Sequence, residues 1–136
     1  MILFAAGNYN APIFDADNES FLYFDPRYGT REIMGPILNG NGAHPDVMTI
    51  ASSTSLNRKA VYSNWGREIS VCAPSNNFHP IDQQIWVPGR GITTTDNEAQ
   101  GRGFRPNSRY TNSFGGTSSA TPLVAGIAGL VIAAYP

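Results

Sequence analysis

Two short stretches carry residue types that could do chemistry. The first is Gly115-Gly116-Thr117-Ser118-Ser119-Ala120-Thr121-Pro122, in which hydroxyls sit between a glycine pair and an apolar run. From Ala120 to Ala134 the only polar residue is Thr121, and none is charged. A hydroxyl at the start of a helix has two uses. Thr117 or Ser118 can cap a free backbone N–H. Alternatively a serine there can be a nucleophile, because unpaired N–H groups and the positive end of the helix dipole stabilise an oxyanion forming beside it. The second stretch is Ala5-Ala6-Gly7-Asn8, after the apolar run Met1 to Phe4. Taken alone, an asparagine after glycine at a strand end reads as a turn residue.

The elements that must position these residues follow from pattern. Ala120 to Ala134 predicts a helix with apolar residues on every face, hence one covered all round. Pro122 suits its first turn, where a missing N–H costs little. Gly126 and Gly129 weaken helix propensity, which predicts close approach of a neighbouring element. Tyr110 to Ser113 is polar and precedes the glycines, so it reads as loop. Met1 to Phe4, Val47 to Ser52 and Ile69 to Ala73 read as strands, the first a buried parallel one. Asn10 to Pro45 reads as an irregular surface region, in which Phe21 to Phe24 and Ile33-Met34 suit small strands or turns.

Gly116-Thr117-Ser118-Ser119-Ala120-Thr121-Pro122-Leu123-Val124-Ala125-Gly126 resembles the catalytic serine segment of the subtilisin-like serine peptidases, the subtilases. That pattern, G-T-S-x-A-[ST]-P-x-V-[AS]-G, is filled at every fixed position. Ala5-Ala6-Gly7-Asn8 resembles the family's A-A-G-N segment. Between them, Asp46 to Ala51, Asn57 to Lys59, Ala60 to Gly66 and Glu68 to Pro74 match family segments in order. Ser75 departs from the usual glycine.

The resemblance implies an α/β fold with a parallel sheet, present as a C-terminal fragment. It makes Ser118, not Ser119, the nucleophile of a serine endopeptidase working through an acyl-enzyme. It makes the Asn8 side chain and the Ser118 backbone N–H the oxyanion donors. Ala5, Ala6, Gly7 and Thr117 fall on the substrate side, the first three along one wall of the pocket for the residue before the scissile bond. The implied partner is a protein or peptide substrate, and the chemistry needs no cofactor.

A serine nucleophile needs a general base. In the family the acid and base precede the oxyanion asparagine, whereas His44 and His79 both follow Asn8 and lie in no H-G-T-H-like motif. Neither histidine is assigned, and D-[ST]-G and H-G-T-H segments are absent from the 136 residues. Residues 1–136 are therefore expected to form part of a catalytic domain, from the oxyanion asparagine to the serine helix. The missing N-terminal half would supply the acid–base pair, and the fragment alone is expected to be inactive. The alternative is a non-catalytic remnant that serves as a binding or structural module.

Charged residues make up only 14% and the net charge is −1, which gives no basic surface for nucleic acid or an anionic membrane. The apolar run Leu123 to Ala134 is too short to span a bilayer. The single cysteine, Cys72, lies in an apolar strand and reads as inert packing. Ser75 to Gly91 looks inserted, with Phe78 and Trp86 as exposed-type aromatics, although Trp65 and Trp86 suit packing better than a substrate platform. Asp15, Asp17 and Glu19 form an acidic loop. Ser20 and Pro26 stand where an EF-hand needs glycine and glutamate. The family resemblance admits structural Ca²⁺ at this loop, while the residues alone read as a solvated surface. The compartment is left open.

Overall fold

In the computed structural model the described residues are 1–25, 27–82, 84–97, 103–105 and 107–135. The centre is a three-stranded parallel sheet in the order β1 (Ile2–Ala5), β6 (Val47–Ser53), β7 (Ile69–Pro74). The middle strand has the sequence Val-Met-Thr-Ile-Ala-Ser-Ser, and its residues 49–52 are fully buried. A central parallel strand is covered on both faces, so a near-continuous small or apolar run fits it.

One helix, α1 (Thr117–Ala134), lies on one face of the sheet and touches all three strands. Ile50, Ala73, Ala120 and Val124 form that core, with Leu3 and Met48 packed against it. The opposite face is covered by Ala6, Ile13 and Ala51, with Ala43 and Ile69 at the edge. Side-chain alternation along β6 sends Ile50 to one core and Ala51 to the other.

The 41 residues between β1 and β6 are not irregular. Strands β3 (Ser20–Asp25) and β4 (Gly29–Met34) form an antiparallel hairpin, and β2 (Phe14–Asp15) pairs with β5 (Ile37–Leu38). Tyr110 to Phe114 is strand β9 rather than loop, paired antiparallel with β8 (Ile92–Thr95). Its Thr111 is buried while its neighbours Tyr110 and Asn112 are exposed. The hydrogen-bonded ladder, which polarity cannot reveal, defines that strand. Residues 98–102 and 106, in the polar, glycine-bearing segment before β9, lie outside the described residues.

Helix α1 departs most from expectation. It starts three residues earlier, so Pro122 is its sixth residue rather than part of its first turn. Having no N–H, Pro122 cannot bond the Ser118 carbonyl. Only Thr117, Ser119, Ala120 and Val124 are buried, while Ile127 is 63% and Leu130 73% exposed. Among the described residues nothing lies within 4 Å of where a β-carbon on Gly126 or Gly129 would stand. The 18-residue helix is long and apolar enough to cross a membrane by length and composition. Its N-terminal half, however, is docked on the sheet. Other expectations reverse at the surface. Cys72 is exposed rather than packed; Trp65 and Trp86 are exposed against their packing reading, although exposure is what marked Trp86 in the sequence. Phe78 is half-buried, stacked on the Tyr62 ring at 4.1 Å. Part of β1 is also exposed, with Ile2 61% accessible.

Candidate active site

The two chemical stretches meet at the C-terminal ends of the parallel strands. β1 ends at Ala5, and the chain turns through Gly7, whose φ of 104° suits glycine. A β-carbon on Gly7 would fall 2.7 Å from Asn64 Nδ2. Asn64 is buried and spends its Oδ1 on the N–H groups of Tyr9 and Ala11, at 3.0 and 3.1 Å. Its own N–H bonds the Gly7 carbonyl at 3.0 Å. One asparagine therefore shapes the loop that presents Asn8.

Asn8 faces the first turn of α1. The Thr117 N–H donates to Asn8 Oδ1 at 2.8 Å, and the Thr117 hydroxyl donates to the same oxygen at 3.0 Å. The Gly7 N–H in turn donates to Thr117 Oγ1 at 3.1 Å, joining residues 110 apart in sequence. A backbone N–H can only donate, so the atom it meets must be the amide oxygen, and this fixes the orientation of the Asn8 amide. Its NH₂ group has no partner among the described residues and lies 3.1 Å from where a β-carbon of Gly116 would stand.

The cap reading of Thr117 and Ser118 does not hold. The N-cap is Gly116, with φ 80° and no side-chain cap bond. Thr117 is buried and committed to Gly7 and Asn8. Ser118 is exposed, and neither its N–H nor its hydroxyl has a partner among the described residues. Ser119 is buried, and its Oγ lies 2.7 Å from Ser75 Oγ and 3.0 Å from the Gly116 carbonyl. The site therefore holds an exposed hydroxyl and an unpaired N–H at a helix N-terminus, with an unpaired amide beside them. Such a grouping can stabilise negative charge on an oxygen.

Neither histidine joins this group. His44 Nδ1 accepts from the Asp46 N–H at 3.2 Å, and His79 Nδ1 accepts from the Asp82 N–H at 3.0 Å. Each closes a local turn. Asp15 Oδ1 likewise accepts the Asp17 N–H at 3.1 Å. Among the described residues no three His, Cys, Asp or Glu side chains gather so as to hold a metal ion.

A cavity of about 430 Å³ opens beside Gly7. Tyr9, Phe21, Tyr23, Ile33 and Leu38 give it an apolar wall, with Tyr9 and Tyr23 packed edge to face at 5.6 Å. The β3–β4 hairpin thus builds a pocket wall where the sequence suggested an elaborated surface region or a substrate-side insertion. Periodicity could not find it, because the alternate strand residues Phe21, Tyr23 and Ile33 turn inward only once the hairpin pairs. Asn64 and Ser75 were equally hidden, being polar residues whose partners are distant in sequence.

The fold and this site define a class. The subtilase family matches residues 1–136, and the chain belongs to it. It is similar to a calcium-dependent protease of Nostoc sp., at 31% identity over 100% of this chain and 17% of that protein. It is also similar to an extracellular protease of Xanthomonas campestris, at 35% identity over 67% of this chain and 13% of that protein. Among solved structures, a lanthipeptide protease superposes on 96% of this chain and 35% of its own, with TM-score 0.62 and 26% identity. The chain thus spans about a sixth of the length of the first of these relatives.

Proposed function

We propose that this chain carries the nucleophile and the oxyanion hole of a serine endopeptidase whose catalytic domain extends beyond these residues. The observation that carries the reading is the Asn8–Thr117 lock. It spends Asn8 Oδ1 on Thr117 and leaves the Asn8 NH₂ without a partner among the described residues, close to Gly116 and so near the turn that carries Ser118. In the proposed reaction Ser118 Oγ attacks a peptide carbonyl and passes its proton to a base from outside this chain. The carbonyl oxygen, now negative, is held by the Ser118 N–H and Asn8 Nδ2. Collapse expels the amine, which takes up the proton held by that base, and leaves an acyl-enzyme for water to cleave.

The substrate is a protein or peptide chain. The apolar cavity beside Gly7 would receive one of its neutral side chains; Gly7 lines it, whereas Ala5 does not and Ala6, expected on the same wall, is fully buried against Ile13 and Ala51. We further propose that the partner supplying the base is the remainder of the catalytic domain and that it covers the apolar side of α1. The fraction of relatives spanned by this chain and the exposure of Ile127 and Leu130 support that. The commitment of both histidines to local turns supports an external base.

The test is labelling of the complete protein with a fluorophosphonate. Wild type should label, Ser118→Ala should not, and Ser119→Ala should keep most of the label. Equal labelling of wild type and Ser118→Ala would remove Ser118 as nucleophile. Absence of labelling in a folded complete protein would favour a non-catalytic binding module.

A further inference from the structure

We infer that Ser75 and Asn76, at the end of β7, are positioning residues for Ser118, holding the Gly116 peptide and through it the first turn of α1. This role rests on the reading of Ser118 as nucleophile. The turn before Ser118 contains two glycines in succession, and Gly116 stands at positive φ. Such a segment has wide conformational freedom unless something outside it fixes the backbone. Helix α1 has no side-chain cap and no acidic residue in its first turn, and of its own residues Ser119 bonds the Gly116 carbonyl.

Both main-chain polar groups of Gly116 are instead taken up from the β7 end. The Gly116 N–H donates to Asn76 Oδ1 at 2.9 Å. The Gly116 carbonyl accepts the Ser75 hydroxyl at 2.9 Å, beside the bonds from Ser119. Tyr62 OH donates to Ser75 Oγ at 2.7 Å, and Ser75 and Ser119 share a further bond at 2.7 Å. Three hydroxyl protons serve these four contacts, so at any moment two of the three contacts among Ser75, Ser119 and the Gly116 carbonyl carry a hydroxyl proton. The Tyr62 proton goes to Ser75, and the other two are distributed among Ser75, Ser119 and the Gly116 carbonyl. Tyr62, Ser75 and Ser119 are all buried, so water cannot replace a lost partner. Asn76 also lies so close to Gly115 that a β-carbon there would overlap it, at 1.8 Å from its Cγ.

Ser118 therefore sits between two anchored neighbours. Thr117 is tied to Asn8 on one side and Ser119 to Ser75 on the other, while the Ser118 N–H and hydroxyl have no partner among the described residues. Its direction is set by the peptides around it. The reactive hydroxyl stays unencumbered and is still oriented.

The experiment compares Asn76→Ala, Asn76→Asp, Ser75→Gly and Asn77→Ala in the complete protein. Asn76→Asp keeps the acceptor for the Gly116 N–H. Asn77 bonds the Val61 N–H and the Pro88 carbonyl but not the turn, so it serves as a neighbour control. Asn76→Ala and Ser75→Gly should lower kcat roughly 10- to 100-fold with KM within about twofold, as expected for small misplacement of a reacting group. Asn76→Asp should recover most of kcat, and Asn77→Ala should leave it unchanged. Amide exchange at Gly116 and Ser119 should quicken in Asn76→Ala and Ser75→Gly only. Unchanged kcat in Asn76→Ala and Ser75→Gly, a rise in KM alone, or an equal loss in Asn77→Ala would overturn the positioning role while leaving Ser118 in place. Failure of the wild type to label would instead overturn the nucleophile reading and this role with it.

Discussion

The two ends of α1 are built in opposite ways. At its N-terminus Thr117, Ser119, Ala120 and Val124 are buried, and the polar groups around them are tied to Asn8, Ser75 and Asn76. Beyond Val124 the helix is almost wholly apolar and yet exposed, with Ile127, Leu130, Val131 and Ile132 all accessible. The first turn is organised by directional bonds from two distant segments, Gly7-Asn8 and Ser75-Asn76. The rest offers only area, about 25 cal/mol per Å² once something covers it. A candidate site can thus be geometrically formed while the hydrophobic cover of the element bearing it is incomplete within the chain.

The most damaging change to the ordered end is Ser118→Ala in the complete protein. If Ser118 is the nucleophile, kcat should fall by about 10⁶-fold, the size of loss that subtilisin shows for its serine. KM should barely move, because the hydroxyl contributes to bond making and not to ground-state binding. Asn8→Ala comes next. It should cost on the order of 10²–10³ in kcat, the magnitude for the oxyanion asparagine of subtilisin, again with little effect on KM. A large rise in KM with kcat intact would make Asn8 a loop-shaping residue, like Asn64, and would break the contrast between the two ends.

The same contrast explains what the sequence revealed. The serine segment and Ala5 to Asn8 were legible because each is a contiguous run, and the parallel strands β6 and β7 were legible because β-forming residues cluster in them. Helix α1 was legible as a helix. Its burial was not, because apolarity records what a surface needs and not what this chain supplies. The β3–β4 hairpin was missed as a unit because Pro26, Gly29 and Gly35 punctuate it and its apolar residues are interleaved with charged ones. Strand β9 was missed because Tyr-Thr-Asn-Ser is polar, and its pairing with β8 depends on a bulged register between Ile92 and Thr94. The Tyr62–Ser75–Ser119 network was out of reach because its members are 13 and 44 residues apart. Only the departure at Ser75 from the family's usual glycine hinted at it.

The unfinished end yields a third prediction. Residues Met1 to Pro136 expressed alone should associate through α1, since a contiguous apolar face of this kind is seldom tolerated on a monomer. Ile127→Glu combined with Leu130→Glu should shift size-exclusion elution toward the monomer without disturbing Ile50, Ala73, Ala120 and Val124. The isolated chain should show no casein hydrolysis in either form. A wild-type chain that elutes as a monodisperse monomer would show that the exposed half of the helix needs no cover.

The smallest expected effect returns to the ordered end and to pH. Burial pushes the Tyr62 phenol above its ordinary value, outweighing the hydrogen bonds that favour its ionised form. The folded state therefore holds the Tyr62 proton more tightly than the unfolded chain, whose tyrosines titrate near pH 10. The sign follows from linkage. The contribution of this group to stability is fully present below pH 10 and declines as pH rises from there through the higher folded value. Tyr62→Phe removes the titration together with the bond to Ser75. The variant should be less stable than wild type at pH 7 by roughly 1 kcal/mol, a typical value for a lost hydrogen bond. Its melting temperature in the complete protein should fall less steeply than that of wild type between pH 9 and about pH 11. Parallel slopes for the two proteins would mean that Tyr62 ionises as freely folded as unfolded, and that the hydroxyl network behind Ser118 is open to water.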